Sequence, residues 1–299
     1  MDPKAAREHK APPEFFSYES RDAIIYALGI GNRAREDLRY VYENDESFAP
    51  YPTYVVAPGL LSLNIMSWPG IEFDLSRILH GEQYIEIFES LPASGKLRSE
   101  TRVVDLLDKG SGALILSEVI TYDDATNKKL SRQLVSTFQV GGGGFGGNRS
   151  HPDEVQPAKI PESAPDAVVE EVTNEDQATL YRMGSLDLNP LHVDPEFATM
   201  SGFKQPILHG LCSMGFATRH IIKTWTDNDA SKLQKIKVRF SAPVLPGQTL
   251  RTEMWKNGNK IIFQTKVKET DKVVIANGWM ELKEPSEKPT IIERLAAKL

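Results

Sequence analysis

The feature that most constrains the fold is an approximate internal repeat. Each half of the chain contains a predicted strand, a connection of the form Leu-Pro…Gly…Leu, and three further strands. The connections are residues 91–97, LPASGKL, and residues 245–250, LPGQTL. In the second half, Asn257-Gly258-Asn259 separates two strands and is typical of a hairpin turn. The sequence therefore predicts two similar units of antiparallel sheet, related by a distant duplication.

Each unit is expected to wrap around a helix, but the two helices differ. Residues 206–225, PILHGLCSMGFATRHIIKTW, space their apolar side chains as in a buried helix. The matching residues 59–81, GLLSLNIMSWPGIEFDLSRILHG, are interrupted by Pro69-Gly70 and show no long helical period. We therefore expect the first helix to be shortened or lost, which leaves room for a long apolar ligand.

A Gly- and Pro-rich segment, residues 141–165, separates a first unit at residues 1–140 from a second unit at residues 166–299. Its opening GGGGFGG contains the G-x-G-x-x-G spacing of a dinucleotide loop, but no apolar helix follows it. A flexible or turn-rich linker is therefore favoured over a nucleotide site.

Charge and cysteine content narrow the classes of function. A formal net charge of -6 over 299 residues disfavours a general nucleic-acid binder, which is usually basic. The single cysteine, Cys212, excludes a disulfide within the chain and fits a reducing compartment. No apolar run reaches the roughly 18 residues of a membrane span, and the N-terminus is too polar for a secretory signal.

The last three residues, Ala297-Lys298-Leu299, differ by one small residue from the Ser-Lys-Leu peroxisomal address. They predict a peroxisomal location reached through the peroxisomal import receptor, with a chance match as the alternative. Together with Met1, this end favours a chain that stands alone.

Residues 187–198, DLNPLHVDPEFA, concentrate polar groups ahead of the buried helix. Asn189-Pro190 and Asp194-Pro195 each have the form of a helix N-cap followed by proline. On this structural interpretation, Asp187 and His192 are solvated loop residues.

The catalytic interpretation is that the turn brings Asp187 and His192 to one point, where they hold and polarise a water molecule. Gly210, at the start of the buried helix, would offer an unpaired N–H to a ligand oxygen without a Cβ in the way. The apolar helix behind them would keep the site partly dry and strengthen these interactions. Such a set suits the addition of water to a polarised double bond.

Other chemistries are less well supported. A metal site drawing on His192, Asp194 and His209 lacks the H-x-x-x-H or C-x-x-C spacing. Ser213 does not lie in a G-x-S-x-G nucleophile elbow. Cys212 lies in the apolar helix and is expected to be a core residue.

Residues 181–198, YRMGSLDLNPLHVDPEFA, resemble the signature of the R-specific, type 2 enoyl-CoA hydratases, the hydratase units of peroxisomal multifunctional enzyme type 2. The resemblance continues, in order, through LHGEQY (79–84), LDKGSG (107–112), GGFGG (143–147), PILHGLCSMG (206–215) and VLPGQTLRTEMWK (244–256). It covers most of the chain and is far more specific than a single motif.

The resemblance implies an α+β protein with the double hot-dog fold, in which the first helix is reduced to admit bulky acyl chains. The first unit would bind acyl-CoA and the second would carry the catalytic motif. The implied reaction is reversible hydration of trans-2-enoyl-CoA to (3R)-3-hydroxyacyl-CoA in peroxisomal fatty-acid β-oxidation, without cofactor or metal. A hot-dog acyl-CoA thioesterase and a non-catalytic acyl-CoA-binding protein are the alternatives. A homodimer is expected, because hot-dog proteins often pair their sheets edge to edge.

The resemblance also implies roles for individual residues. Asp187 and His192 would position water and move protons between it and the α-carbon, and Asn189 would orient them. The Gly210 amide would bind the thioester oxygen. The residues implied to contact acyl-CoA are His80, Gly81, Lys109, Leu188, Pro190, Leu191 and Phe240. Lys109 would reach a CoA phosphate. Without the resemblance, the simpler interpretation is structural: His80-Gly81 would form a turn, Lys109 would be a charge at a hairpin tip, and Phe240 would be a core residue.

One residue departs from the family pattern. The family usually places Ser-Gly directly before the aspartate, whereas Leu186 precedes Asp187 here, with one extra residue after Tyr181. Leucine does not readily adopt a positive φ, so a rearranged loop is expected.

Overall fold

The computed structural model describes residues 1–283, which form seven α-helices and ten β-strands. The helices are α1 (Pro3–Glu8), α2 (Ser20–Gly29), α3 (Leu38–Val41), α4 (Val56–Ser62), α5 (Gln177–Ser185), α6 (Pro195–Met200) and α7 (Gly210–Trp225). The strands are β1 (Glu14–Tyr18), β2 (Ile78–Ile87), β3 (Gly95–Asp108), β4 (Gly112–Asp123), β5 (Lys129–Val140), β6 (Ala167–Val172), β7 (Leu233–Phe240), β8 (Thr249–Asn257), β9 (Lys260–Val267) and β10 (Lys272–Leu282). The C-terminal tripeptide Ala297-Lys298-Leu299 lies outside the described residues.

The ten strands form one antiparallel sheet in the order β1-β3-β4-β5-β2-β7-β10-β9-β8-β6. From one edge the strands run β1-β3-β4-β5-β2, and from the other edge they run β6-β8-β9-β10-β7. Each half therefore places its first, third, fourth, fifth and second strands in the same order, which confirms the internal repeat. The halves join where β2 pairs with β7, with Tyr84 opposite Lys237. Two ion pairs cross this junction: Lys237 with Glu82, and Lys235 with Glu86.

The central helix was predicted correctly, as was the contrast between the two units. Every residue of α7 from Leu211 to Ile222 is buried, and each large apolar side chain buried this way contributes roughly 1.5–3 kcal/mol. Its counterpart α4 has only seven residues. The irregular chain after α4 packs Leu63, Ile65 and Trp68 into a smaller apolar cluster with side chains of β3 and β4. The predicted double hot-dog fold, with its reduced first helix, is therefore confirmed.

Each unit also has an edge strand and a helix that the sequence pattern did not predict, namely β1 with α2 and β6 with α5. Helices α2 and α5 cross closely at two glycines. A Cβ on Gly184 would lie 2.4 Å from the backbone of Tyr26, and one on Gly29 would lie 2.9 Å from the Cα of Tyr181. The crossing therefore excludes any side chain at these positions, and it fixes the end of α5 that leads into residues 187–198.

Residues 141–166 contain no helix or strand. The Asp108 carboxylate accepts hydrogen bonds of 2.9 Å from the amides of Gly110, Gly144 and Gly146, so the glycine spacing serves a turn. Farther along, the indoles of Trp279 and Trp255 donate to the carbonyls of Gln156 and Ser163. The exact unit boundaries stay a prediction, since both halves share one sheet. Within residues 1–283, no helix is both long and apolar enough to cross a bilayer.

Candidate active site

The position of Asp187 is set by the way α5 ends. Leu186 follows the helix in the left-handed conformation, with φ 56° and ψ 21°, and its N–H donates to the Arg182 carbonyl at 3.0 Å. The expectation that leucine would avoid a positive φ is therefore wrong. This hydrogen bond and the clamped crossing of α5 supply the stabilisation that a non-glycine residue needs there, on the order of 1–2 kcal/mol.

Short-range hydrogen bonds then shape the turn. The Asp187 N–H donates to Ser185 Oγ at 3.2 Å, and Asp187 Oδ1 accepts from the Asn189 N–H at 3.3 Å. Asn189 Oδ1 accepts from the Leu191 N–H at 3.0 Å and caps the 3-10 turn Pro190–His192. Asn189 thus contacts the aspartate and starts the turn that carries the histidine, and its orienting role stays a prediction.

The hydrogen bonding of His192 fixes its tautomer. Its Nδ1 lies 2.8 Å from the carbonyl oxygen of Ile207, which can only accept, so Nδ1 carries a proton. Burial lowers the pKa of His192 below its ordinary value of 6.5, although the Asp187 carboxylate opposes the shift. At neutral pH the ring is therefore uncharged and Nε2 presents a lone pair.

Asp187, His192 and His209 offer polar side-chain atoms that lie within 4.8 Å of one another. The predicted metal alternative named Asp194 in place of Asp187. That carboxylate instead caps α6, accepting from the amides of Glu196 and Phe197. The His192 and His209 rings stack at 3.6 Å with planes 26° apart. Lone pairs in nearly parallel planes do not converge on one ion, so the geometry suits proton transfer better than metal binding.

Gly210 is the first residue of the 16-residue helix α7. Within residues 1–283, no side chain caps this helix and the Gly210 N–H has no hydrogen-bond partner, so it is available at the positive end of the helix. A Cβ here would lie 3.1 Å from the Phe240 ring, so this ring packs closely against the Cα of Gly210. Phe240 in turn meets the His80 ring edge-on at 5.1 Å. Burial lowers the pKa of His80, and the nearby Asp187 carboxylate opposes this. The structure thus brings His80, Phe240 and Gly210 together with Asp187 and His192.

The other residues implied to contact acyl-CoA fall into two groups. Gly81 is the extra residue of a β-bulge between β2 and β5, which reorients the neighbouring His80. Leu188 is 57% exposed beside Asp187, whereas Pro190 and Leu191 are half-buried. Lys109 lies apart, at the tip of the β3–β4 hairpin. Its Nζ donates to the Arg149 carbonyl at 2.7 Å and pairs with Glu154 at 3.3 Å.

Two residues near the pair were not predicted to act there. His209 was considered only as a metal ligand, and Arg182 was not singled out. Alongside the larger effect of burial, the Arg182 guanidinium lowers the pKa of both His192 and His209. A linear motif does not reveal that Arg182 and His209 lie near His192, because their proximity depends on how α5 meets the start of α7. Cys212 is buried, its thiol pKa is raised by burial, and it is a core residue as expected.

The chain matches two family models: residues 16–141 match the MFE-2 hydratase 2 N-terminal domain, and residues 156–278 match the MaoC like domain. It is 45% identical to the peroxisomal multifunctional enzyme type 2 of Mus musculus, over 92% of this chain and 38% of that protein. It is 41% identical to the probable enoyl-CoA hydratase 2 of Dictyostelium discoideum, over 93% of this chain and 95% of that protein. The crystal structure of a MaoC-like dehydratase from Phytophthora Capsici superposes with a TM-score of 0.86 at 34% identity, covering 95% and 99% of the two chains.

The chain therefore spans less than half of the mouse protein but nearly all of the Dictyostelium protein. Sheet order and the position of the site define a double hot-dog protein of the MaoC-like class. Within that class, the chain belongs to the enoyl-CoA hydratase 2 family.

Proposed function

We propose that this protein catalyses the reversible hydration of trans-2-enoyl-CoA to (3R)-3-hydroxyacyl-CoA, without cofactor or metal. The observation that carries the proposal is geometric: the Asp187 carboxylate and the His192 imidazole converge beside the start of α7 at Gly210, and burial lowers the pKa of His192. Membership of the enoyl-CoA hydratase 2 family supports the same reaction.

The proposed chemistry needs only one water molecule. Asp187 and His192 Nε2 hold the water between them, since His192 Nδ1 is already used in donating to Ile207. The water oxygen bonds to the β-carbon and loses a proton to Nε2, while the double-bond electrons move onto the thioester oxygen. Nε2 then returns the proton to the α-carbon and the carbonyl re-forms. Both additions occur on the side of the substrate that faces the pair, and the (3R) configuration is carried over from the family resemblance.

In this proposal the Gly210 N–H stabilises the thioester oxygen as negative charge accumulates on it. The donor is fixed at the N-terminus of a buried helix, so little reorganisation is required during the reaction. Phe240 and His80 would form the wall around the thioester, and the exposed Leu188 would contact the acyl chain near its entry. Lys109 is proposed to bind a CoA phosphate, which requires its ion pair with Glu154 to break.

We also propose a peroxisomal location, supported by relatives that are named peroxisomal. Import through Ala297-Lys298-Leu299 is part of the proposal, and a fluorescent fusion with and without this tripeptide tests it. The proposed homodimer has less support. Pairing of β2 with β7 within the chain already makes the edge-to-edge contact that motivated it. The mass of the protein in solution tests this part.

The decisive experiment follows loss of the enoyl-thioester absorbance with short and long trans-2-enoyl-CoA, then assigns the configuration of the product. Saturated acyl-CoA with a thiol reagent runs in parallel. We expect enoyl absorbance to fall and a (3R) product to form, with no free thiol. Release of CoA thiol would indicate a thioesterase instead, and tight binding without turnover would indicate a non-catalytic acyl-CoA-binding protein.

A further inference from the structure

We propose that His209 is a positioning residue that holds both members of the catalytic pair; this inference rests on the proposed hydratase function. Its side chain is buried, with 1% exposure, whereas Asp187 and His192 are half-buried. It is also the N-cap of α7, immediately before Gly210. One imidazole therefore borders all three groups to which the reaction is assigned.

The first contact of His209 is with the backbone of Asp187. His209 Nε2 lies 3.3 Å from the Asp187 carbonyl oxygen, which only accepts, so Nε2 carries the proton. Asp187 follows Leu186, the residue held at a positive φ. The hydrogen bond ties the residue after this strained position to the start of α7. It thereby limits rotation of the carboxylate away from His192.

The second contact is with the ring of His192. The two imidazoles stack at 3.6 Å, and the Tyr181 ring packs near His209 at 4.9 Å, inclined by 52°. Tyr181 is itself fully buried next to the glycine crossing of α2 and α5. His209 thus connects the packed crossing of α2 and α5 to the His192 ring. Among the described residues, the other contact that holds this ring is the hydrogen bond between its Nδ1 and the Ile207 carbonyl.

Burying the polar ring of His209 lowers the stability of the fold, so a functional reason for a histidine here is expected. Its Nδ1 is buried and has no hydrogen-bond partner within residues 1–283, whereas a phenylalanine would pack here without an unpaired acceptor. Burial, reinforced by the neighbouring His192, keeps the pKa of His209 well below its ordinary range. The ring is therefore neutral, and His192 can accept a proton without a second cation stacked on it.

The test separates the two contacts. His209→Phe keeps an aromatic ring against His192 but removes the donor to Asp187. His209→Gln keeps a donor at a similar reach but removes the stack. We expect each variant to lower kcat by about tenfold or more while KM changes by less than about twofold, because the residue orients catalytic groups without touching substrate. His220→Gln, at a buried histidine within α7, is the matched control and should affect stability alone.

A second readout does not depend on turnover. The groups that act on the pKa of His192 besides burial are Asp187, Ile207 and Arg182, and His209 covers one face of its ring. Both variants should raise the pKa of His192 in an NMR titration, because phenylalanine favours the imidazolium and glutamine admits water. An unshifted His192 titration together with wild-type kcat in folded variants would overturn the inference. An inactive wild type with the predicted titration shifts would instead contradict the hydratase function and leave the positioning role standing.

Discussion

The crossing of α2 and α5 predicts a coupled loss of stability and activity in Gly184→Ala. The new methyl group would start 2.4 Å from the Tyr26 backbone, whereas ordinary contact begins at 3.4 Å, so the two backbones must part by about 1 Å. Overpacking against a backbone that cannot rotate away costs about 3 kcal/mol, at the upper end of the usual range. The higher helix propensity of alanine than of glycine offsets about 1 kcal/mol of this loss in stability. The net loss is about 2 kcal/mol, which at an unfolding entropy of about 2.1 cal/mol/K per residue lowers the Tm of this 299-residue protein by roughly 3 °C.

Activity should fall as well, because Asp187 lies three residues beyond Gly184. A displacement of about 1 Å at a catalytic group typically costs on the order of a hundredfold in rate. Thermal unfolding and the initial rate of the folded variant measure the two effects. Met183→Ala is the control, since Met183 is 58% exposed on the same helix. Wild-type stability and rate in Gly184→Ala would refute the argument that this crossing positions the site.

Three further predictions concern the site itself. The rate should persist below pH 6.5 and fall only as pH drops through the lowered pKa of His192, because the neutral form is active; a pH–rate profile whose acid limb lies above 6.5 would contradict this. Gly210→Ala should reduce kcat by about tenfold to a hundredfold through displacement of Phe240 and the oxyanion donor, and an unchanged kcat would count against the assigned donor. Lys109→Met should raise KM and weaken its dependence on salt at constant kcat, and an unaltered KM would remove Lys109 from the CoA site.

The sequence predicted those parts of the fold that depend on local patterns. The apolar spacing in residues 206–225 and the turn at Asn257-Gly258-Asn259 are properties of neighbouring residues, and both appear in the structure. Strands β1 and β6 were missed because they are edge strands of five and six residues, paired on one side only. Such strands are stabilised by a partner distant in sequence, which a local pattern does not reveal.

The same distinction applies to the site. The spacing from Asp187 to His192 encodes their convergence, because the cap at Asn189 and the proline after it are local. The contacts of His209 arise only once α5 and α7 have packed, so no motif could indicate them. Leu186 shows the opposite error, since a sound local preference against positive φ was overridden by the packing of α5.

The proposed hydration depends most on Asp187 and His192 acting together on one water molecule. Turnover of trans-2-enoyl-CoA by Asp187→Asn, His192→Gln and the double variant tests this directly, with circular dichroism confirming the fold of each. We expect each single variant to lose several orders of magnitude in kcat and the double variant to lose little more, since two groups that act as a unit are non-additive. A folded single variant with near-normal turnover would contradict the joint action of Asp187 and His192.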